Sequence, residues 1–299
     1  MEVQDDEKII VQSLIGGSQL PFYLRCLKSL VTFCQDRIEL QLHTDGSLSQ
    51  EDNEFIHAEL DSTMLVINDS PENKSRVLDF LQGKPNCQKV RKDSIWGIEF
   101  FDPIFAFAED PISFYLDADI LFLRPFSGLF DRKSVKDGAV FLKDTQWDAY
   151  SFRPCHMLTS KKTQVVEGIT TGLVFWDKSA IDWDYLEWFL GEHHLHQIPE
   201  WIMPTAQAGL ANRCEAKTIS PIHIPNLYPN ARTYDDTFGV HLLGSYRKQW
   251  IEKLEARKKT QRKNLPIINP SLEKCVSQNF FGYSLRQFRR WKNTRLNIW

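Results

Sequence analysis

Apolar and polar positions along the chain fall into short blocks whose period changes from block to block. Residues Ile9 to Leu14 (IIVQSL) form an apolar run that stops at Gly16-Gly17-Ser18. FYLRCLKSLVTF then carries apolar residues at helical spacing, so strand, turn and helix are expected in that order. IELQLHTDG alternates from Ile38 to Leu42 and ends at His43-Thr44-Asp45-Gly46; a polar, acidic, helix-like stretch and the apolar run TMLVIND follow. Three strands alternating with helices predict a parallel sheet of the βαβ kind. Residues 71–92 are polar and contain Gly83-Lys84-Pro85, which reads as a loop. SIWGIEFFDPIFAF reads as a buried helix broken or bent near Pro103, and FYLDADILFL as a fourth strand from Phe114 to Leu123.

Further along, GAVFLK (138–143) and TTGLVFWD (170–177) read as strands. The aromatic-bearing loop between them, through 146–164, is a candidate substrate lid or rim. IDWDYLEWFLGEHHLHQ and PTAQAGLANRC have helical spacing, and FGVHLLGSYRKQW (238–250) runs from apolar into polar. There is no internal repeat, and EARKKTQRK near 255–263 is the nearest thing to a charged linker. Residues 8–250 therefore read as one α/β domain and 251–299 as a C-terminal extension.

Composition agrees with this picture and narrows it. With 299 residues, 42% hydrophobic and 25% charged, the chain can bury a large core, and neither wholesale disorder nor a multi-span membrane protein fits. The formal charge of −3 hides an asymmetry: residues 251–299 hold twelve basic and three acidic side chains, a basic tail on an acidic body. The six cysteines are scattered without a CxxC pair or a Cys-His zinc spacing, so reduced thiols are expected. The N-terminal MEVQDDEKIIVQSL is acidic where a signal peptide would be basic, and no run of about 18 apolar residues occurs. A cytoplasmic protein is expected.

The sharpest chemical signal is Asp117-Ala118-Asp119 within an otherwise apolar strand. Burying two carboxylates uncompensated costs several kcal/mol each, so a sheet that carries them needs a cation or water close by. At the carboxyl end of an α/β strand they would reach a hard divalent ion. The second signal is His241-Leu242-Leu243-Gly244-Ser245-Tyr246-Arg247. A neutral imidazole can complete a carboxylate-held Mn²⁺ site, Gly244 permits close backbone approach, and Arg247 can neutralise a phosphate. His193, His194 and His196 in GEHHLHQ have no carboxylate or Cys at ligand spacing and read as a helix end.

FYLDADILFL resembles the DxD strand of nucleotide-sugar glycosyltransferases of the GT-A fold. HLLGSYRKQW resembles the H-x-x-G-x-x-K-P-W motif of the glycogenin and bacterial lipopolysaccharide galactosyltransferase group, with Lys248 where that motif has Pro and Trp250 one residue late. The resemblance implies a GT-A (Rossmann-like) α/β fold, a mixed, mainly parallel sheet flanked by helices with a basic aromatic C-terminal extension. It implies that Asp117, Asp119 and His241 hold Mn²⁺ (or Mg²⁺) on the diphosphate of a UDP-sugar, with Arg247 in the role of the motif's lysine and Ala118 and Gly244 beside them. It also places Gln12, Ser13 and Leu14 against the nucleotide base, Arg91 or Lys92 towards the phosphates, and Thr170-Thr171-Gly172 beside the sugar. Gln207 resembles the amide that the D-Q-x-x-L-N helix presents to the donor sugar, although Ala206 replaces the Asp and Asn212 comes one residue late. That parallel points towards retention of anomeric configuration.

The activity implied is transfer of a hexose from a nucleotide-diphosphate sugar to a hydroxyl of a glycan or lipid-linked saccharide. Two alternatives stand beside it: a haloacid-dehalogenase-like phosphatase, whose apolar strand also carries D-x-D, and a catalytically silent GT-A-like domain that binds carbohydrate or a partner. The tail FFGYSLRQFRRWKNTRLNIW interleaves aromatics with Arg and Lys, suiting either an anionic membrane surface at the cytoplasmic face or a helix that caps the domain. No nucleic acid partner is expected, since no reading module accompanies the tail.

Overall fold

The structure is a computed structural model that describes residues 8–60, 65–68, 70–107, 109–146, 148–257 and 265–296. Most of the EARKKTQRK segment and the last three tail residues lie outside the described residues. The first half of the chain runs β1 (Ile9–Ile15), α1 (Leu20–Phe33), β2 (Ile38–Thr44), α2 (Gln50–Glu59), β3 (Leu65–Asn68), α3 (Pro71–Phe80), α4 (Pro85–Asp93), α5 (Ile95–Ala106), β4 (Ile112–Leu116) and β5 (Ile120–Phe122). After it come α6 (Arg132–Val135), β6 (Gly138–Lys143), β7 (Ile169–Asp177), α7 (Trp183–Gly191), α8 (Ile202–Ala211), β8 (Glu215–Ile219), β9 (Gly239–His241), α9 (Arg247–Arg257), β10 (Leu272–Lys274) and α10 (Phe280–Leu296).

Eight strands form one mixed sheet in the order β10-β8-β6-β7-β4-β1-β2-β3, and β5 pairs with β9 in a separate two-stranded sheet. The β1–β2, β2–β3, β1–β4 and β6–β8 pairs are parallel, whereas β7 runs antiparallel to both β4 and β6. Because side chains alternate across a sheet, successive residues enter different cores. Leu173 and Phe175 pack with α1, while Val174 and Trp176 pack with α5, α7 and α8. The chain leaves β1 for β2 on one side and reaches β4 on the other. That reversal of strand order opens a crevice at the carboxyl ends of β1, β2 and β4.

Three sequence expectations change. Residues 71–92, read as a loop, hold α3 and α4. Each has proline in its first turn, where a missing N–H costs nothing, and Ser70 caps α3 through Asn73 N at 3.2 Å. Their composition concealed them, because Val77, Leu81, Cys87 and Arg91 are the only positions of this stretch fully buried. The helix expected to be broken or bent near Pro103 is not broken there: it runs through the proline to Ala106. The single strand expected from Phe114 to Leu123 is two, since Asp117-Ala118-Asp119 makes a turn closed by Ile120 N on Asp117 O (3.2 Å), and β5 leaves the main sheet to pair with β9.

The C-terminal segment packs on the body. β10 adds an edge strand antiparallel to β8, and Tyr283 of α10 is fully buried with its hydroxyl donating to Phe152 O (2.6 Å). Removing a buried ring of that size costs about 3–5 kcal/mol, so α10 is held by more than charge. Arg286 pairs with Asp148 and Glu167, and Gln287 donates to Asp148 O at 3.2 Å. The opposite side of α10 leaves Phe281, Leu285, Phe288 and Trp291 exposed. Among the described residues no helix is long and apolar enough to cross a membrane, and all six cysteines are free thiols.

Candidate active site

The turn between β4 and β5 and the end of β9 bring three ligand-type side chains together. Ile120 pairs with His241 in the β5–β9 ladder, and Leu242 N donates to Asp119 O (3.1 Å), which sets the imidazole across from the two carboxylates. His241 Nε2 lies 3.2 Å from Asp119 Oδ1 and 3.8 Å from Asp117 Oδ2. One ligand atom from each of the three lies within 4.8 Å of the others. Trp250 and Leu254 of α9 pack with Leu121, Val240 and Leu242, and the Trp250 indole donates to Tyr228 O (3.1 Å), so the small sheet is anchored from outside.

Neighbouring groups fix each ligand. Asn226 Oδ1 accepts from His241 Nδ1 at 2.7 Å, which leaves Nε2 of the neutral ring as a lone pair facing the carboxylates. Gly172 makes room for the ring: a Cβ there would stand 2.5 Å from His241 Cε1. The Tyr115 hydroxyl donates to Asp117 Oδ1 (2.9 Å). Arg247 donates to Asp119 Oδ2 (2.7 Å), to Gln19 and to Leu242 O (3.3 Å), with its guanidinium 4.3 Å from the centre of the Phe22 ring.

The electrostatics show why the cluster suits a cation. Burial and then the Asp119 charge push the Asp117 carboxyl up to about 7. Burial works the same way on Asp119, but His241 and Arg247 outweigh it and hold that carboxyl below its ordinary range. Burial lowers His241, and the two aspartates outweigh it and raise the imidazole. Among the described residues Asp119 Oδ1 is buried without a hydrogen bond of good geometry, with His241 Nε2 3.2 Å away. Two oxygen donors and one imidazole nitrogen, converging with an unspent buried oxygen, fit a divalent ion such as Mn²⁺.

A cleft of about 260 Å³ reaches the two carboxylates, while His241 and Arg247 stand behind them outside its wall. Leu14, Ala118, Asp117 and Asp119 line it as the sequence leads one to expect, together with Gly16, Asp45, Tyr23, Trp96, Tyr115 and Glu99, which sequence reading missed. Glu99 is a third carboxylate on the cleft wall. Its pKa is raised well above the usual range by burial and then by the charges of Asp117 and Asp119, with Thr171 acting in the opposite direction. An acidic residue inside the apolar helical run IWGIEFFDPIFA is the signal that would have found it.

Other singled-out residues lie elsewhere. Gln12 is buried, donating to Pro103 O (2.8 Å) and accepting from His43 Nε2 (2.9 Å), and the buried Ser13 hydroxyl has no partner among the described residues. Arg91 is bound through two nitrogens to Asp102, Lys92 is exposed, and neither lines the cleft. Gln207 is buried in α8, accepting from the Trp176 indole at 3.4 Å. It lines a cavity of about 10 Å³, room for one water, whose other walls include Glu99 and Tyr115. Gly244 opens a turn with free space above its Cα. His193, His194 and His196 lie in or next to a short turn after α7.

No protein-family model matches the sequence, and no curated protein matches it. Among solved structures, mouse xyloside xylosyltransferase 1 in its apo form superposes with a TM-score of 0.55 at 12% identity, over 78% of this chain and 97% of that one. The galactosyltransferase LgtC, in complex with donor and acceptor sugar analogues, gives 0.55 at 13% identity over 85% of this chain and 97% of its own.

Gly172→Ala is expected to displace the His241 ring and weaken Mn²⁺ binding roughly 10–100-fold, as loss of a ligand's support does, with little change in melting temperature. Unchanged Mn²⁺ affinity by calorimetry would show that His241 is not a ligand. The sheet order, the carboxylate turn at the end of β4 and these two superpositions together show that the chain has the GT-A fold.

Proposed function

We propose that the protein is a metal-dependent glycosyltransferase that moves a hexose from a nucleotide-diphosphate sugar, a UDP-sugar in our reading, to a hydroxyl of a saccharide. The observation that carries the reading is the convergence of Asp117, Asp119 and His241 at the mouth of the β1–β4 crevice of a GT-A fold. This is where α/β sheets bind nucleotides. The neighbours of the same fold act on sugars by their names, and one was solved with donor and acceptor analogues bound. The fold speaks against the phosphatase alternative.

In this reading a divalent ion on Asp117, Asp119 and His241 supplies Lewis-acid stabilisation of the diphosphate. The chain's own residues supply the rest. Arg247, held in place by Asp119, Gln19 and the Phe22 ring, adds fixed positive charge beside the leaving group at no reorganisation cost. Tyr23 and Trp96 give flat apolar walls, and Leu14 and Gly16 frame the nucleotide end. Glu99 and Thr171 stand where hydroxyls of the transferred sugar would be read, and Gln207 shares the wall of the small cavity with Glu99. The bond from anomeric carbon to diphosphate oxygen breaks, the acceptor oxygen bonds to that carbon, and the acceptor's proton is released.

The tail reading divides between two sides of α10. Its buried side caps the domain through Tyr283, Arg286 and Gln287. Its exposed aromatics, in a helix without a single Asp or Glu, support peripheral contact with an anionic membrane surface. Co-sedimentation with phosphatidylserine vesicles should fall when Phe281 and Phe288 are changed to Ser. Equal sedimentation of variant and wild type would remove the membrane contact.

Titrating UDP into the protein by calorimetry should give binding that requires Mn²⁺ and falls at least tenfold in Asp119→Asn, a loss of about 1.4 kcal/mol. No UDP binding with or without the metal would contradict the UDP-sugar reading.

A further inference from the structure

Asp45 is a carboxylate of the cleft that the metal reading leaves without a task. It follows the last residue of β2, and β1 separates β2 from β4, so laterally it stands two strand spacings, about 10 Å, from the Asp117-Ala118-Asp119 turn. Two turns hold it there. Asp45 N donates to Ile15 O (3.2 Å), and Gly46, at φ 86°, bends the chain so that Ser47 N (2.9 Å) and Ser47 Oγ (2.5 Å) both donate to Asp45 Oδ1. The Ser47 hydroxyl in turn accepts from Gly17 N (2.9 Å), which fastens the turn after β2 to the turn after β1.

That arrangement spends one carboxylate oxygen and presents the other. Among the described residues Oδ2 has no hydrogen bond and Asp45 no ion pair. Oδ2 occupies the space where a side chain at Gly16 would begin, so glycine at the end of β1 is what lets the carboxylate reach this wall. Its neighbours there, Ile15, Ile95 and Trp96, are apolar or aromatic. An unpaired negative charge repels phosphate, which places a diphosphate at the far end, with Asp117 and Asp119, and the uncharged nucleoside beside Asp45.

An ionised carboxylate only accepts hydrogen bonds, and with a single oxygen unspent this one suits a single donor. Vicinal ribose hydroxyls, and the adjacent N–H groups on the edge of guanine, are met by both oxygens of a carboxylate. The imide N–H of uracil is one donor between two carbonyls, whereas cytosine and adenine present a ring-nitrogen lone pair at the corresponding place. We infer that Asp45 Oδ2 accepts from the imide N–H of a uracil base and is the residue that selects UDP over CDP. The inference rests on the nucleotide-sugar reading of the cleft and deepens it: the metal end takes the diphosphate of any nucleotide, and Asp45 chooses the base.

The test titrates the full chain, with Mn²⁺ present, against UDP, CDP, N3-methyl-UDP and 2′-deoxy-UDP by calorimetry, in wild type and in Asp45→Asn. Wild type should bind UDP at least roughly tenfold more tightly than CDP or N3-methyl-UDP. In Asp45→Asn the amide oxygen keeps the bonds from Ser47 and the amide nitrogen replaces Oδ2, turning a donor towards the base. The preference for UDP over CDP should then fall at least roughly tenfold, whereas a damaged fold would weaken both nucleotides alike. Equal binding of UDP and CDP by wild type, or a UDP preference that survives in Asp45→Asn, overturns the assignment. A loss in Asp45→Asn that is seen with UDP and absent with 2′-deoxy-UDP puts the carboxylate on the ribose and overturns it as well. Wild type that binds no UDP at all contradicts the UDP-sugar reading itself.

Discussion

Negative charge gathered where a sheet ends is the constraint around which the rest is arranged. Asp117 and Asp119 are two residues apart on a turn that emerges from a fully buried strand, and both carboxylates are largely withdrawn from water. Left alone, such a pair repels itself and loses its hydration. The fold answers with a cation from one side, Arg247, and an imidazole from another, His241. Both come from the same short downstream segment, and Trp250 and Leu254 pin that segment to the body. Among the described residues one oxygen of Asp119 still lacks a hydrogen bond, and with Asp117 and His241 it could hold a metal ion.

Supports for these three side chains come from distant parts of the chain and explain residues that otherwise look ordinary. Gly172 is small because the His241 ring occupies the place of its side chain. Asn226 is buried because it fixes the tautomer of that ring. Ser29 on α1 accepts Phe122 N at 2.8 Å, tying the helix under the β1 turn to the strand that follows the carboxylates.

Much of this was legible in the sequence where chemistry and pattern coincide. Apolar runs gave β1, β2, β6 and β7, and the odd placement of two aspartates in an apolar run marked the site before any contact was known. The downstream His241 and Arg247 were found by their motif and do meet the aspartates. Elements with little apolar content escaped: α3 and α4 are held by a few buried side chains and by prolines that start helices as readily as they end them. Arg91 has the charge a phosphate wants, yet its nearest carboxylate, Asp102, lies one helix away and takes it. Glu99 left a trace as an acidic residue in an apolar helical run, whereas Asn226 could not be read at all, because its role depends on contact between segments far apart in sequence.

Electron spin-echo spectroscopy of bound Mn²⁺ tests the central claim most directly, because it reports the nitrogen ligands of the ion. The account predicts one bound Mn²⁺ with modulation from a single imidazole nitrogen, which disappears in His241→Ala while the fold persists. An ion that binds without nitrogen coupling, or coupling that survives in His241→Ala, would contradict it.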